Sequence, residues 1–429
     1  MSDNSIYAAQ TNGDNESAGS NASFGSIEIF VTSTQGLIPI PNATVTITYT
    51  NAPETFTRTL STDESAQTEI IALPAPAFAL SQEPSEIQPY TEYTIEVTAP
   101  GYEPVTVTGT EILPDVIALQ PIRMIPEEIS TEPEEDIFIP EHTLFGIYPP
   151  KIPEDEIKPM NETGEIVLSR VVIPEYIIVH DGIPSDSSAP NYYVRYKDYI
   201  KNVASSEIYA TWPEATIYAN ILAIQSFTLN RVYTEWYRNQ GYNFTITSST
   251  AFDQKWIFGR NIYENIDYLV DSIFANYLSR PGVRQPIFTS YCDGDRVNCN
   301  GLSQWGSKYL GDEGYSAIEI IRYYYGNDMF INTAEQISGV PSSWPGYDLT
   351  IGSSGDKVRQ LQNQLNRIAQ NYPALPTLTP DGIYGQRTAD SVRTFQRIFG
   401  LPQTGVTDYP TWYEVSDIYV GVSRIAEPD

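Results

Sequence analysis

From Phe24 onward the chain alternates apolar and polar positions with a period of two. Ile27, Ile29 and Val31 alternate with Glu28, Phe30 and Thr32, and Val45 and Ile47 with Thr44, Thr46 and Thr48. That period predicts strands with one buried face. Further runs at Thr68–Leu73, Tyr93–Ala99 and Val105–Thr108, separated by Pro, Asn, Asp and Gly clusters, have the spacing of a small antiparallel sandwich. A second set of strands is expected around Val167–Ile173 and Tyr176–Val179, after which the period lengthens. Asp198 is placed to cap a short helix through Tyr199, Ile200 and Val203, which runs out at SSEIYATWP. Pro213 is placed as the first residue of a longer helix that Gly241 terminates. Along that helix Ala215, Ala219 and Ala223 form a small-residue stripe that lets another element approach closely. Near the C-terminus Val358, Leu361, Leu365 and Ile368, then Ala389, Val392, Phe395 and Phe399, recur at helical spacing, so two amphipathic helices frame a loop.

The stretches between these patterns are different in kind. Residues 1–23 are rich in Asn, Ser, Gly and Ala, have little to bury, and are expected to form a disordered tail. Residues 126–164 combine Glu pairs with prolines, including Pro149-Pro150, the composition of a semi-rigid linker. Within them DIFIPEHTLFGIYPP is apolar enough for part of the segment to lie against a neighbouring domain. His142, beside Glu141, has no second ligand nearby and is expected to be a surface or packing residue. A shorter linker is expected at 336–346.

Length and charge narrow the functions. At ~150 residues per domain, 429 residues make about three domains. The 24 Lys+Arg against 54 Asp+Glu give a net charge of −30 and no basic surface to drive polyanion binding, which excludes nucleic acid as a general partner. Two Cys and two His cannot furnish a disulfide framework or a four-cysteine metal site, so any metal would need carboxylates. No apolar run approaches the ~20 residues of a membrane span, and Met1–Ser20 has neither a basic n-region nor an apolar h-region. Neither a Sec signal nor a membrane anchor is expected.

One carboxylate stands out by position. Glu207 lies just before the long helix, where partial desolvation raises a carboxyl's pKa, and an acid poised near neutrality is what protonating a glycosidic bond requires. The surrounding text, YIKNVASSEIYATWPEATIYANILAIQSFTLNRVY, resembles the signature of the sporulation stage II protein D family of peptidoglycan lytic transglycosylases. A second segment, NGLSQWGSKYLGDEGYSAIEIIRYYYGNDM, is similar to that family's Gly-Leu-Ser-Gln-Trp-Gly stretch and Tyr-Tyr-x-Gly ending. The resemblance spans residues 165–335. It implies that Glu207 protonates the oxygen between MurNAc and GlcNAc and then, as carboxylate, accepts the proton of the MurNAc C6 hydroxyl. It also implies that Ser303, Gln304 and Trp305 line the cleft, where Gly301 and Gly306 permit tight backbone and Trp305 offers a flat face for a sugar ring. Packing is the other reading of Trp305.

This chain departs from the family at VNCNGLSQ, where Asn298 stands in the place of a His. Three readings of Cys292 and Cys299 follow: a disulfide closing a small loop, a reduced pair, or a two-Cys zinc site completed by Asp293 or Asp295. No cofactor or metal is expected.

At the two ends, PIPNATVTIT, STDESAQTEI and YTIEVTAPGYEPV resemble the carboxypeptidase-regulatory, transthyretin-like sandwich over residues 24–125, a fold that spaces or docks. LTIGSSGDKVRQLQNQLNRI, DGIYGQRTADSVRTFQRIFGL and TGVTDYPTWYEV resemble the three-helix peptidoglycan-binding domain, here assigned to 347–425. In that module Thr388 is expected to cap a helix, Thr411-Trp412 to close the core, and the loop residues Asp381, Tyr384 and Arg387 to face glycan or stem peptide.

The expected fold class is multidomain: N-terminal β-sandwich, central α+β catalytic domain, C-terminal three-helix bundle. The expected function is a lytic transglycosylase acting on peptidoglycan glycan strands at the cell wall or spore envelope, with the export route open. A second reading is a non-catalytic peptidoglycan-binding scaffold that stimulates a cell-wall amidase, and a third is an adhesin or structural surface protein built on the sandwich.

Overall fold

The computed structural model describes residues 23–34, 37–128, 135–158, 170–334, 336–339 and 344–423. The tail expected at 1–23 lies outside these residues except for Ser23.

The N-terminal region is β-rich: β1 (Ser23–Ser33), β2 (Thr44–Tyr49), β3 (Thr57–Ser61), β4 (Ile71–Ala75), β5 (Thr91–Thr98), β6 (Val105–Ile112), β7 (Ile117–Met124) and β8 (Glu135–Phe138). Ile27, Ile29 and Val31 of β1 and Val45 and Ile47 of β2 are fully buried, the inward half of the two-residue period. One sheet has the order β3-β2-β5-β6-β8 and contains β6 and β8 as a parallel pair; the other contains β7, β1 and β4, with β1 parallel to β7.

The central region continues with β9 (Val172–Ile173), β10 (Tyr176–His180), β11 (Asn191–Arg195), α1 (Tyr196–Glu207), α2 (Glu214–Tyr233), β12 (Ile246–Thr247), β13 (Ile262–Tyr263), α3 (Glu264–Ile273), β14 (Asn276–Ser279), β15 (Tyr291–Cys292), β16 (Leu302–Ser303), α4 (Gln304–Asp312), α5 (Ala317–Tyr325), β17 (Phe330–Thr333) and β18 (Gln336–Ile337). α2 is buried along nearly its whole length, with α1, α3, α4, α5 and β14 around it. A helix apolar on all sides belongs in a core.

Three local expectations change. Asp198 does not cap α1; the helix is already running at Tyr196, with Arg195 as its N-cap. α2 stops at Tyr233, because the Thr234 hydroxyl turns back onto the Asn230 carbonyl (2.7 Å) and Glu235 takes a left-handed φ of 48°. Gly241, also left-handed, closes the short 3-10 turn Arg238–Gln240 instead. Thr388 lies inside α7, and its hydroxyl accepts from the Gln362 amide (3.2 Å) rather than capping.

The C-terminal region is helical: α6 (Asp356–Ala369), α7 (Gln386–Ile398) and α8 (Tyr409–Ser423) enclose Leu361, Leu365, Val392, Phe395 and Trp412.

The greatest departure concerns the expected linker. Residues 135–158 form a strap: β8 joins the sheet beside β6, and Ile139, His142, Leu144 and Tyr148 are buried. Its acids do not extend the chain by repulsion where they find cations, since Glu154 accepts from Arg231 (2.6 and 2.8 Å) and pairs with Lys158 (2.7 Å). The sandwich is likewise no detached spacer. β13 of the central region adds to its sheet beside β7, and Lys197 of α1 bridges to Glu414 and Asp417 of α8 at 2.5 and 2.8 Å. Gln67 of the sandwich donates to the Ile398 carbonyl of α7 (2.6 Å).

Candidate active site

Glu207 is the last residue of α1. The chain turns there because Ile208 leaves helical space (φ −136°, ψ 152°) while its N–H still donates to Ala204. The side chain is 0% exposed. Oε1 accepts from the Lys255 N–H at 2.7 Å, and Oε2 has no hydrogen-bond partner among the described residues. The Tyr291 hydroxyl lies beside the carboxyl. Burial raises Glu207 above the usual carboxylate range, against the opposing charge of Lys151. Lys151 is itself lowered by burial; its ammonium donates to the Asp253 carbonyl (2.6 Å) and sits 4.7 Å above the Tyr291 ring.

The second motif comes to the same place. β15 pairs with β16 in parallel, setting Tyr291 opposite Leu302 and Cys292 opposite Ser303. Ser303 N-caps α4, accepting from the Gly306 N–H at 2.9 Å. Gln304 is fully buried, and both its amide atoms lack partners among the described residues. Trp305 is 3% exposed and packs on Trp212 (4.9 Å between centroids) and Tyr209 (6.0 Å), so it is a packing residue here and not an open platform. Cys292 and Cys299 are joined in a disulfide, which leaves neither thiol for a zinc ion. Among the described residues no cluster of three or more His, Cys, Asp or Glu could hold a metal.

The C-terminal candidates lie apart from Glu207. Asp381 is exposed and shapes its own turn, accepting from Ile383 N–H (2.8 Å) and the Gln362 amide (3.0 Å). Tyr384, expected on the surface, is fully buried: its hydroxyl donates to the Gly405 carbonyl at 3.0 Å, so it builds the module's core. Arg387 is exposed.

Sequence reasoning missed Lys151, Tyr148 and Tyr291 around Glu207. The apolar run inside the acidic segment contains Tyr148 and ends at Pro150, one residue before Lys151, and is the available signal for the former. Two surface cavities, of about 160 and 180 Å³, lie elsewhere, and Glu207 lines neither. The first is bordered by Arg123, Arg195 and Asp417, the second by Trp236, Tyr237 and Phe244.

Residues 354–414 match the peptidoglycan binding domain family. The chain therefore carries a peptidoglycan-binding domain at its C-terminus, consistent with association with the cell wall. No curated protein matches the chain. Among solved structures, the TIE protein of Bacillus anthracis is 14% identical with a TM-score of 0.17, over 24% of this chain and 17% of that one. Catechol 1,2-dioxygenase from Acinetobacter sp. ADP1 is 13% identical with a TM-score of 0.19, over 29% of this chain and 61% of that one. Chlorocatechol 1,2-dioxygenase from Pseudomonas putida is 14% identical with a TM-score of 0.16, over 28% and 61%. Such slight likenesses carry no argument about fold or activity. Among the described residues no helix is long and apolar enough to cross a membrane.

Proposed function

We propose that this protein is a peptidoglycan lytic transglycosylase, held on the wall by its C-terminal domain and cutting the MurNAc–GlcNAc bond in its central region. The observation that supports this reading is the Glu207 carboxyl: buried, raised in pKa by that burial, with one oxygen fixed by the Lys255 N–H and the Tyr291 hydroxyl beside it. Protonated Glu207 gives its proton to the bridging oxygen as the bond from MurNAc C1 breaks. The MurNAc C6 hydroxyl closes onto C1, and the Glu207 carboxylate takes that hydroxyl's proton, which restores the acid and consumes no water. The product is a 1,6-anhydromuramyl end. Because the nucleophile belongs to the substrate, no second carboxylate is required to activate water, unlike an inverting hydrolase. Lys151, the nearby cation, stabilises the carboxylate half of the cycle.

A second reading, a non-catalytic peptidoglycan-binding scaffold that stimulates an amidase, draws on a different observation: Glu207 is wholly covered. The deciding experiment incubates the protein and Glu207→Gln with purified glycan strands, with and without stem peptides, and looks by mass spectrometry for anhydromuramyl ends. The transglycosylase reading requires such ends from the unaltered protein and none from the variant. Absence of cleavage by both, with both still pelleting with peptidoglycan, supports the scaffold.

A further inference from the structure

Glu207 is covered by the strap. The Thr143 N–H donates to the carbonyl of Ser206 (3.3 Å), and the His142 ring lies 4.5 Å from that of Tyr209. The strap thus touches the residues on both sides of Glu207. Farther on, Tyr148 and Lys151 come near enough to Glu207 to feel its charge, and Ile152 N–H donates to Ala251 (2.9 Å).

The far end of the strap is tied down by Arg231 through Glu154 and by Arg280 through Glu156, whereas the part next to Glu207 is held by an arginine in the loop closed by the Cys292–Cys299 disulfide. Arg296 is held by Asp293 (2.9 Å) and donates to the carbonyls of Thr143 (2.8 Å), Phe145 (3.1 Å) and Gly146. Between strap and site the polar groups are poorly matched. Thr143 Oγ1 and Tyr148 Oη on the strap, and Ser205 Oγ beneath it, make no hydrogen bond to another of the described residues. Glu207, 0% exposed, can reach a glycosidic oxygen only when this cover parts from it. The hydroxyls and amides of a glycan supply both donors and acceptors for such groups.

We propose that residues 139–158 are an autoinhibitory strap over Glu207, fastened by Arg296, which a peptidoglycan glycan strand displaces when the site is used. The proposal rests on the transglycosylase reading. It makes the closed form a resting state, with bond cleavage limited by how often the strap lifts.

The test uses the full chain, Arg296→Ala, and Arg296→Lys, which keeps the charge but loses the planar fork. Hydrogen exchange over 139–158 reports the strap, and release of anhydromuramyl ends from purified glycan strands reports the reaction. In Arg296→Ala, exchange in the strap is expected to rise and cleavage to be at least about tenfold faster than in the unaltered protein, the gap that separates a gated from an open site by roughly 1.4 kcal/mol. Arg296→Lys falls between, and Arg296→Ala combined with Glu207→Gln cuts nothing. A loosened strap with cleavage no faster than in the unaltered protein overturns the autoinhibition alone. Unchanged exchange in both variants overturns the role of Arg296. A loosened strap with no cleavage by any form overturns the transglycosylase reading, and this proposal with it.

Discussion

Arg260 and Glu111 form an ion pair at 2.6 Å, both side chains buried, where the central region meets the sandwich. The contact is reinforced on every side: Asn261 exchanges hydrogen bonds with the Glu111 backbone, and Tyr263 Oη donates to the Glu111 carbonyl at 3.2 Å. The sandwich is therefore coupled to the region that holds Glu207 through groups that cannot be separated without leaving a charge in the interior.

Arg260→Ala is expected to cost about 3–5 kcal/mol in urea unfolding, because Glu111 then remains buried and unpaired. Adding Glu111→Gln should recover part of that loss. Arg359→Ala, which breaks an exposed pair with Asp356, should change stability by under ~1 kcal/mol. Equal effects at the two sites would mean that the sandwich contact is not a desolvated one.

A pH dependence follows from Glu28, on β1. Burial, then the charges of Glu264 and Asp63, push its carboxyl up to about 7, with Arg397 opposing. The folded chain holds this proton more tightly than the unfolded chain does, so the contribution to stability is full below about 4.5 and is lost as pH rises toward 7. Glu28→Gln keeps the neutral form at every pH. Its melting temperature should equal that of the unaltered protein near pH 4.5 and exceed it near pH 8, and parallel curves across that window would remove Glu28 as the source.

In the peptidoglycan-binding domain, stability and binding should separate by residue. Tyr384→Phe removes the hydroxyl that serves Gly405 and Thr407, at a cost of about 1–3 kcal/mol, with pelleting on peptidoglycan unchanged at temperatures where the chain stays folded. Arg387→Ala should do the reverse, weakening pelleting and leaving the unfolding midpoint in place. Pelleting lost with Tyr384→Phe alone would return that tyrosine to the binding surface.

What was legible in the sequence follows the range of each physical signal. The two-residue period around Ile29 and Val45, and the helical spacing of Leu361, Leu365, Val392 and Phe395, are local, and these residues are buried in strands and helices of the expected kind. The meeting of Tyr291 with Glu207 depends on β15 pairing with β16 and has no local signature. Proline and acid content predict a linker at the strap because they say nothing about a distant cation such as Arg231, which turns Glu154 from a repelling charge into an anchor. A loop position predicts an exposed Tyr384, because loops lie at surfaces, yet this loop folds its ring inward to reach Gly405.

The glycines of the second motif give a last, graded prediction. A Cβ on Gly301 would lie 1.8 Å from the Ser290 carbonyl oxygen, and one on Gly306 would lie 2.1 Å from the Tyr324 hydroxyl. The first obstacle is backbone, and it belongs to the same carbonyl that accepts from Leu302 N–H (3.2 Å) and from Tyr325 Oη (2.8 Å), so it cannot move without loosening β15 against β16. The second is the end of a side chain that can swing away. Gly301→Ala should therefore cost more than about 3 kcal/mol, and Gly306→Ala about 1–3 kcal/mol, by urea unfolding. Because β15 carries Tyr291, Gly301→Ala should also alter the near-ultraviolet circular dichroism of the tyrosine cluster beside Glu207, whereas Gly306→Ala should leave it closer to that of the unaltered protein. The opposite ranking would place the tight approach at α4 rather than between the two strands.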